Sequence, residues 1–205
     1  SIVNWTVKYN KAIIGSITAV LLLIAIFSMV KYYLKIQDKK AEEAYYSVYS
    51  EYEKLLKTED KAKADKTKLE EEKNKTIGKL AEVYNKFSGQ TSGKLALLNE
   101  GHLLFESGKF EEAVKTYEKF LSAISKKDLF YNLTLDSIAH CHEELKNSDK
   151  ALEYYEKITS SNFDFLKDVA HFNLGRLYEG KNNKEQAVKN YKKIKESYPE
   201  SKIVA

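Results

Sequence analysis

One cysteine (Cys141), one proline (Pro199) and one arginine (Arg176) occur in 205 residues. A single cysteine excludes an intramolecular disulfide framework and a multi-cysteine zinc or iron–sulfur site. One proline and eight glycines leave few helix breakers, so long helices can run uninterrupted. That scarcity disfavours collagen, Pro-rich linkers and turn-dense β-sandwiches. Nearly all the positive charge is lysine, whereas arginine is the residue suited to bidentate phosphate and base recognition. The net charge is only +4, and residues 91–205 balance to zero, so no nucleic-acid partner is expected. No Gly-rich phosphate loop, GxSxG or HExxH motif occurs. Neither an enzymatic activity nor a cofactor is expected. At 43% hydrophobic and 31% charged residues, the chain is too apolar for a disordered tail and too charged for a polytopic membrane protein.

What is present begins with residues 12–30, AIIGSITAVLLLIAIFSMV, an apolar run without a charge. As a helix it would extend about 28 Å, close to the ~30 Å hydrocarbon core of a bilayer. Trp5 and Tyr9 precede it and Tyr32 and Tyr33 follow, as at the two interfaces of a membrane. The run exceeds the usual apolar core of a signal peptide, and Lys31-Tyr32-Tyr33 is no small-residue cleavage site. It is apolar on every side, unlike a buried core helix of a small domain. The expectation is an uncleaved single transmembrane helix over 12–30, preceded by a flank over 1–11. Lys31, Lys35, Lys39 and Lys40 outnumber the upstream Lys8 and Lys11. Read literally, that bias puts the C-terminal part in the cytoplasm, although long domains can cross regardless.

Residues 31–75 read as a connecting helical region. Leu34, Ala41, Ala44, Tyr45, Val48, Tyr52, Leu55 and Leu56 recur at intervals dominated by three and four, the pattern of an amphipathic helix. Residues 58–75 are rich in mixed charge, with Leu69 the only large apolar side chain, and read as a solvated helix or helix–loop. Apolar spacing resumes at Ile77, Leu80, Ala81, Val83, Tyr84 and Phe87, and SGQTSG over 88–93 marks a turn. No sustained period-two alternation follows residue 31, so the fold class is all-α.

Three stretches of the remaining chain, over about 94–127, 132–165 and 168–201, align with one another. Each has a small residue (Gly101, Ala139, Gly175) and a second one twelve positions later (Ala113, Ala151, Ala187). A tyrosine follows four positions on (Tyr117, Tyr155, Tyr191), then a large apolar residue three further (Phe120, Ile158, Ile194). This pattern resembles the tetratricopeptide repeat, a helix–turn–helix unit of about 34 residues. The third copy fits best, with Leu174-Gly175, Tyr178, Ala187, Tyr191, Ile194 and Pro199. Departures are Leu97, Leu135 and His171 where the repeat often has Trp, and Ser148 where the first copy has Phe110. The resemblance implies a helical-hairpin solenoid (TPR-like) over 76–205.

The order of parts resembles a narrower group, the YfgM-like family of ancillary subunits of the bacterial SecYEG translocon. The stretch that carries it is LAEVYNKFSGQTSGKLALLNEGHLLFESGKFEEAVKTYEKFL, residues 80–121. By resemblance, the chain would sit in the bacterial inner membrane with its repeats in the periplasm. Its partners would be Sec translocon subunits, periplasmic chaperones or emerging polypeptides. The rival readings are a scaffold of another envelope complex and a cytoplasm-facing adaptor.

His140-Cys141-His142 is the densest group of candidate metal ligands, but adjacent helical positions diverge by about 100° and do not converge on one ion. Cys141 reads as a packed residue and His142 as filler of a repeat slot. No metal site is expected. Repeat arrays of this kind bind partners on a concave face lined by the first helix of each unit, and the resemblance places those positions. In the first copy they are Leu98, His102, Phe105 and Glu106. In the second they are Asp136, His140, Glu143 and Glu144. In the third they are Phe172, Arg176 and Glu179. Such a mixture suits extended or partly unfolded polypeptide better than a carboxylate clamp, which needs several Lys or Arg.

Overall fold

A computed structural model describes residues 2–59 and 66–203. The described residues form helices α1 (Ile2–Glu59), α2 (Lys66–Lys86), α3 (Thr91–Glu106), α4 (Phe110–Ala123), α5 (Phe130–Glu144), α6 (Ser148–Thr159), α7 (Lys167–Gly180) and α8 (Lys184–Ser197). No strand occurs among them.

Helix α1 is unbroken for 58 residues, about 87 Å at 1.5 Å per residue. No proline or glycine interrupts it after Gly15. Its apolar part is long enough and apolar enough to cross a membrane, and none of its most apolar window is covered by the rest of the fold. The hydroxyls within it are satisfied inside the helix: Ser16, Thr18 and Ser28 donate to the carbonyls of Ala12, Ile14 and Ile24 at 2.8–2.9 Å.

The second half of α1 does more than connect. Ala41, Tyr45, Val48, Tyr52 and Leu55 are buried with Leu80, Val83, Phe87, Ala96 and Leu103. Helices α1 and α2 therefore form a hairpin of their own, packed on α3. Leu80, Tyr84 and Phe87 repeat the spacing of Ala113, Tyr117 and Phe120. The boundary expected at residue 76 falls inside α2, because the same helix supplies both the charged run and this core face. Residues 60–65 of the charged run lie outside the described residues, and its part over 66–75 is a mostly exposed helix, as expected, with one exception. Lys73 is buried, and its Nζ donates to the carbonyl of Glu106 at 3.4 Å. An ammonium there lies against the electronegative C-terminus of α3, while its aliphatic stem covers apolar surface.

The three expected repeats appear as the hairpins α3/α4, α5/α6 and α7/α8, each packed on the next through its second helix. Their turns share one construction. Gly108, Lys146 and Asn182 occupy the left-handed region, with φ of 70°, 59° and 58°. The N–H of the following residue then bonds back to Leu104, His142 or Tyr178 at 2.8–2.9 Å. Asn147 and Asn183 cap α6 and α8 by accepting from the amides of Lys150 and Gln186. The turn expected over 88–93 ends earlier, since α3 starts at Thr91. Gly93 lies inside the helix, at a place where the Phe87 carbonyl occupies the space a Cβ would need.

Candidate functional site

The small residues set the site's shape. Gly101 lets the Tyr117 ring lie flat against α3, where a Cβ would stand 2.5 Å from its Cε1. Tyr191 lies over Gly175 in the same way. The tyrosines thus pack on the first helix of their own hairpin rather than only between repeats. Beside Tyr117 opens a groove of about 250 Å³, lined by Tyr52 and Leu56 of α1, His102, Phe105 and Glu106 of α3, and Ser137 and His140 of α5. The His102 ring meets Tyr117 edge-on at 5.7 Å, and Phe105 meets Phe110 at 5.3 Å. Burial lowers the His102 pKa, which favours the neutral ring, and raises that of the Tyr52 phenol to about 12. This part of the groove is therefore apolar and uncharged at neutral pH apart from its Glu106 rim.

The next part is polar. Arg176 of α7 donates through one guanidinium nitrogen to both oxygens of Glu143 on α5, at 2.7 and 2.5 Å. Tyr155 donates its hydroxyl to Glu143 Oε1 at 2.7 Å, and that hydroxyl lies 3.3 Å from His140 Nδ1. His140 Nε2 stands 3.5 Å from Asp136. The hydrogen bond that His140 donates to the Asp136 carboxylate raises the His140 pKa against the opposing effect of burial. Burial and the Glu143 bond both raise that of Tyr155, so it stays a neutral donor. Further along, Tyr191 donates to Glu179 at 3.1 Å, with Phe172 stacked at a tilt beside it, ring centres 6.1 Å apart.

Most of the residues placed by resemblance are thus brought together. His102, Phe105, Glu106 and His140 line the groove, Asp136, Glu143 and Arg176 form the adjoining network, and Phe172 and Glu179 continue it. Leu98 does not belong: it is only 6% exposed and sits in the core with Val114 and Leu135. Glu144 is exposed and outside the network. Tyr52, Leu56, Tyr117 and Ser137 were not anticipated. Tyr52 and Tyr117 lie on the apolar stripes of their helices, but no spacing rule says that α1 folds back over α3. The histidines and cysteine of 140–142 point apart. Cys141 is fully buried, with its thiol pushed up to about 12, and His142 stacks on Tyr154 at 5.6 Å.

Residues 4–203 match the tetratricopeptide repeat-like domain. The chain belongs to that family. The match takes in α1 as well as the three hairpins. Among solved structures, the chain is similar to a tetratricopeptide repeat protein from Parabacteroides merdae, with 22% identity and a TM-score of 0.58. That similarity covers 78% of this chain and 56% of the other, so this chain spans little more than half its length. It is also similar to MamA, with 23% identity and a TM-score of 0.51 over 71% of this chain and 83% of MamA. Comparison with curated proteins gives no match. The structural likenesses are of fold, and a YfgM-like identity is narrower than either kind of match. A tetratricopeptide repeat-like fold is an architecture for protein–protein interaction.

Proposed function

We propose that this chain is a single-pass membrane protein that holds a polypeptide partner in the groove beside α1, close to the bilayer. The observation that carries the reading is Tyr52 and Leu56 in the groove wall, on the same unbroken helix as the apolar run over 12–30. An apolar slot takes one or two large side chains of an extended segment. The neighbouring Glu143–Arg176 pair and the Tyr155 hydroxyl supply donors and acceptors for its backbone or polar side chains. By the resemblance of residues 80–121, the partner to test first is the Sec translocon with its emerging polypeptides and periplasmic chaperones.

The test is a photo-crosslinking residue at Phe105 in intact cells, with one at exposed Lys189 on α8 as control. Adducts with translocon subunits or secreted polypeptides from position 105 alone are expected. Adducts with one other envelope complex would favour the scaffold reading, and no position-specific adduct would overturn the groove. The excess of lysines after the apolar run favours a cytoplasmic adaptor as the second reading. In a Cys141→Ala background, Lys189→Cys should react with a membrane-impermeant thiol reagent in spheroplasts. Protection until lysis would establish the adaptor instead.

A further inference from the structure

The alternation of helices sorts the connections onto two edges. Glu51 of α1 pairs with Lys79 of α2 at 2.6 Å, and Leu55 shares a recess with Glu72 and Thr76, so α2 runs back along α1. Tyr45 accepts from Asn99 at 2.9 Å, while Tyr52 and Leu56 meet His102 to Glu106, so α3 runs in the direction of α1. The turns within the hairpins, at 107–109, 145–147 and 181–183, therefore lie on the edge away from residues 12–30. The connections between hairpins, at 87–90, 124–129 and 160–166, and the tail at 198–203 lie on the near edge.

The two edges differ in chemistry. Apart from half-buried Leu145, the far turns are built from Ser, Gly, Lys and Asn. The near edge exposes Leu129 (64%), Phe163 (38%), Phe165 (46%) and Ile203 (37%). Among the described residues beyond α1, the other exposed large apolar side chains are Phe172 and Val188. Exposed Lys126 and Lys127 precede Leu129, and Lys202 precedes Ile203. Of the acids there, Asp128 accepts from the Phe130 amide and Asp164 pairs with Lys167, while Glu200 is exposed.

We propose that this edge rests on the surface of the bilayer that residues 12–30 cross. Leu129, Phe163, Phe165 and Ile203 enter the headgroup layer, and Lys126, Lys127 and Lys202 meet anionic lipid phosphates. The inference depends on the span proposed above. From Val30 to Ala41 the helix rises about 16 Å, and the headgroup layer occupies roughly 5–8 Å of that. The hairpins step away from α1 by about 9–10 Å each, so the third stands about 28 Å to the side. The usual ~20° tilt of a spanning helix lowers that point by about 10 Å, enough to bring it to the headgroups. The distribution of apolar groups agrees: the proximal connection at 87–90 exposes none, its Phe87 being buried, and the more distal ones expose all four. Aromatic and aliphatic tips flanked by lysines are the composition that a lipid–water interface takes up.

The experiment uses the full chain in vesicles of phosphatidylcholine and phosphatidylglycerol. Single cysteines in a Cys141→Ala background carry an environment-sensitive fluorophore at Leu22→Cys, Asn162→Cys or Lys146→Cys. The label at 162 is expected to be blue-shifted and shielded from iodide, and the label at 146, on the far edge, to remain open. Phe163→Ser with Phe165→Ser, checked for unchanged helicity, should abolish the shielding. Lys126→Gln with Lys127→Gln, remote from the core, should weaken it. A label at 162 as open as that at 146, with 22 shielded, would overturn the inference and leave the span standing. A label at 22 open to iodide would remove the span and the inference together. Shielding of 162 that needs added membrane proteins would assign the edge to a protein instead.

Discussion

At the scale of single residues, two glycine–tyrosine contacts fix how closely the helices of a hairpin approach. Tyr117 is almost fully buried against Gly101, whereas Tyr191 is half-buried against Gly175 at the open end of the array. Overpacking at position 101 costs about 1–3 kcal/mol, offset by up to ~1 kcal/mol of helix propensity. Gly101→Ala is therefore expected to lower the urea midpoint, with Gly175→Ala much closer to neutral because Tyr191 can swing outward. The histidines add a pH dependence of two signs. His140 has a raised pKa in the folded state, led by its Asp136 bond, so its contribution is complete below the unfolded value of about 6.5 and fades as pH rises through the folded value. His102 and His171 are lowered by burial, so theirs is present above about 6.5 and lost as pH falls through the folded values. His140→Asn should accordingly cost more stability near pH 5.5 than near pH 8.5 in paired urea titrations.

At the scale of elements, the turns carry most of the local specification. Gly108 suits its left-handed position and Asn182 tolerates its own, but Lys146 at φ 59° does neither. Lys146→Gly should raise the thermal midpoint by the equivalent of about 0.5–1 kcal/mol, since nothing else in that turn changes. The intervals linking Ala113, Tyr117 and Phe120 to their counterparts make three hairpins legible in the sequence. The hairpin of α1 and α2 was not legible as a unit. Leu80 stands where the other copies have alanine, and its first helix is continuous with the apolar run, so periodicity ran through the boundary without marking it. The concave positions came from the resemblance to the repeat family, which puts them on the first helix of each hairpin, 38 and 36 residues apart from copy to copy. Leu98 escaped that rule, and Phe172 shows why. The same register position is buried at Leu98, half-buried at Asp136 and exposed at Phe172 in the last hairpin. Tyr52 and Leu56 escaped too, because which neighbour α1 folds against is decided by tertiary packing, not spacing.

At the scale of the whole molecule, two core clusters meet at α3, with Ala96 and Leu103 facing the α1/α2 hairpin and Leu97, Leu98 and Leu104 facing the later repeats. The array is thus welded to α1 rather than strung from it by a linker. That weld makes the compass bearing of the groove a property of helix length. Each residue added between Val30 and Ala41 would swing the entire array by about 100° around the α1 axis while lifting it only about 1.5 Å. One extra residue would turn the groove and the lysine-flanked edge toward a different neighbour without altering a single contact within them. Seven extra residues would bring the bearing back to within about 20° and leave the array about 10 Å higher. The stretch around Leu34, otherwise without a partner in the fold, acts as a protractor.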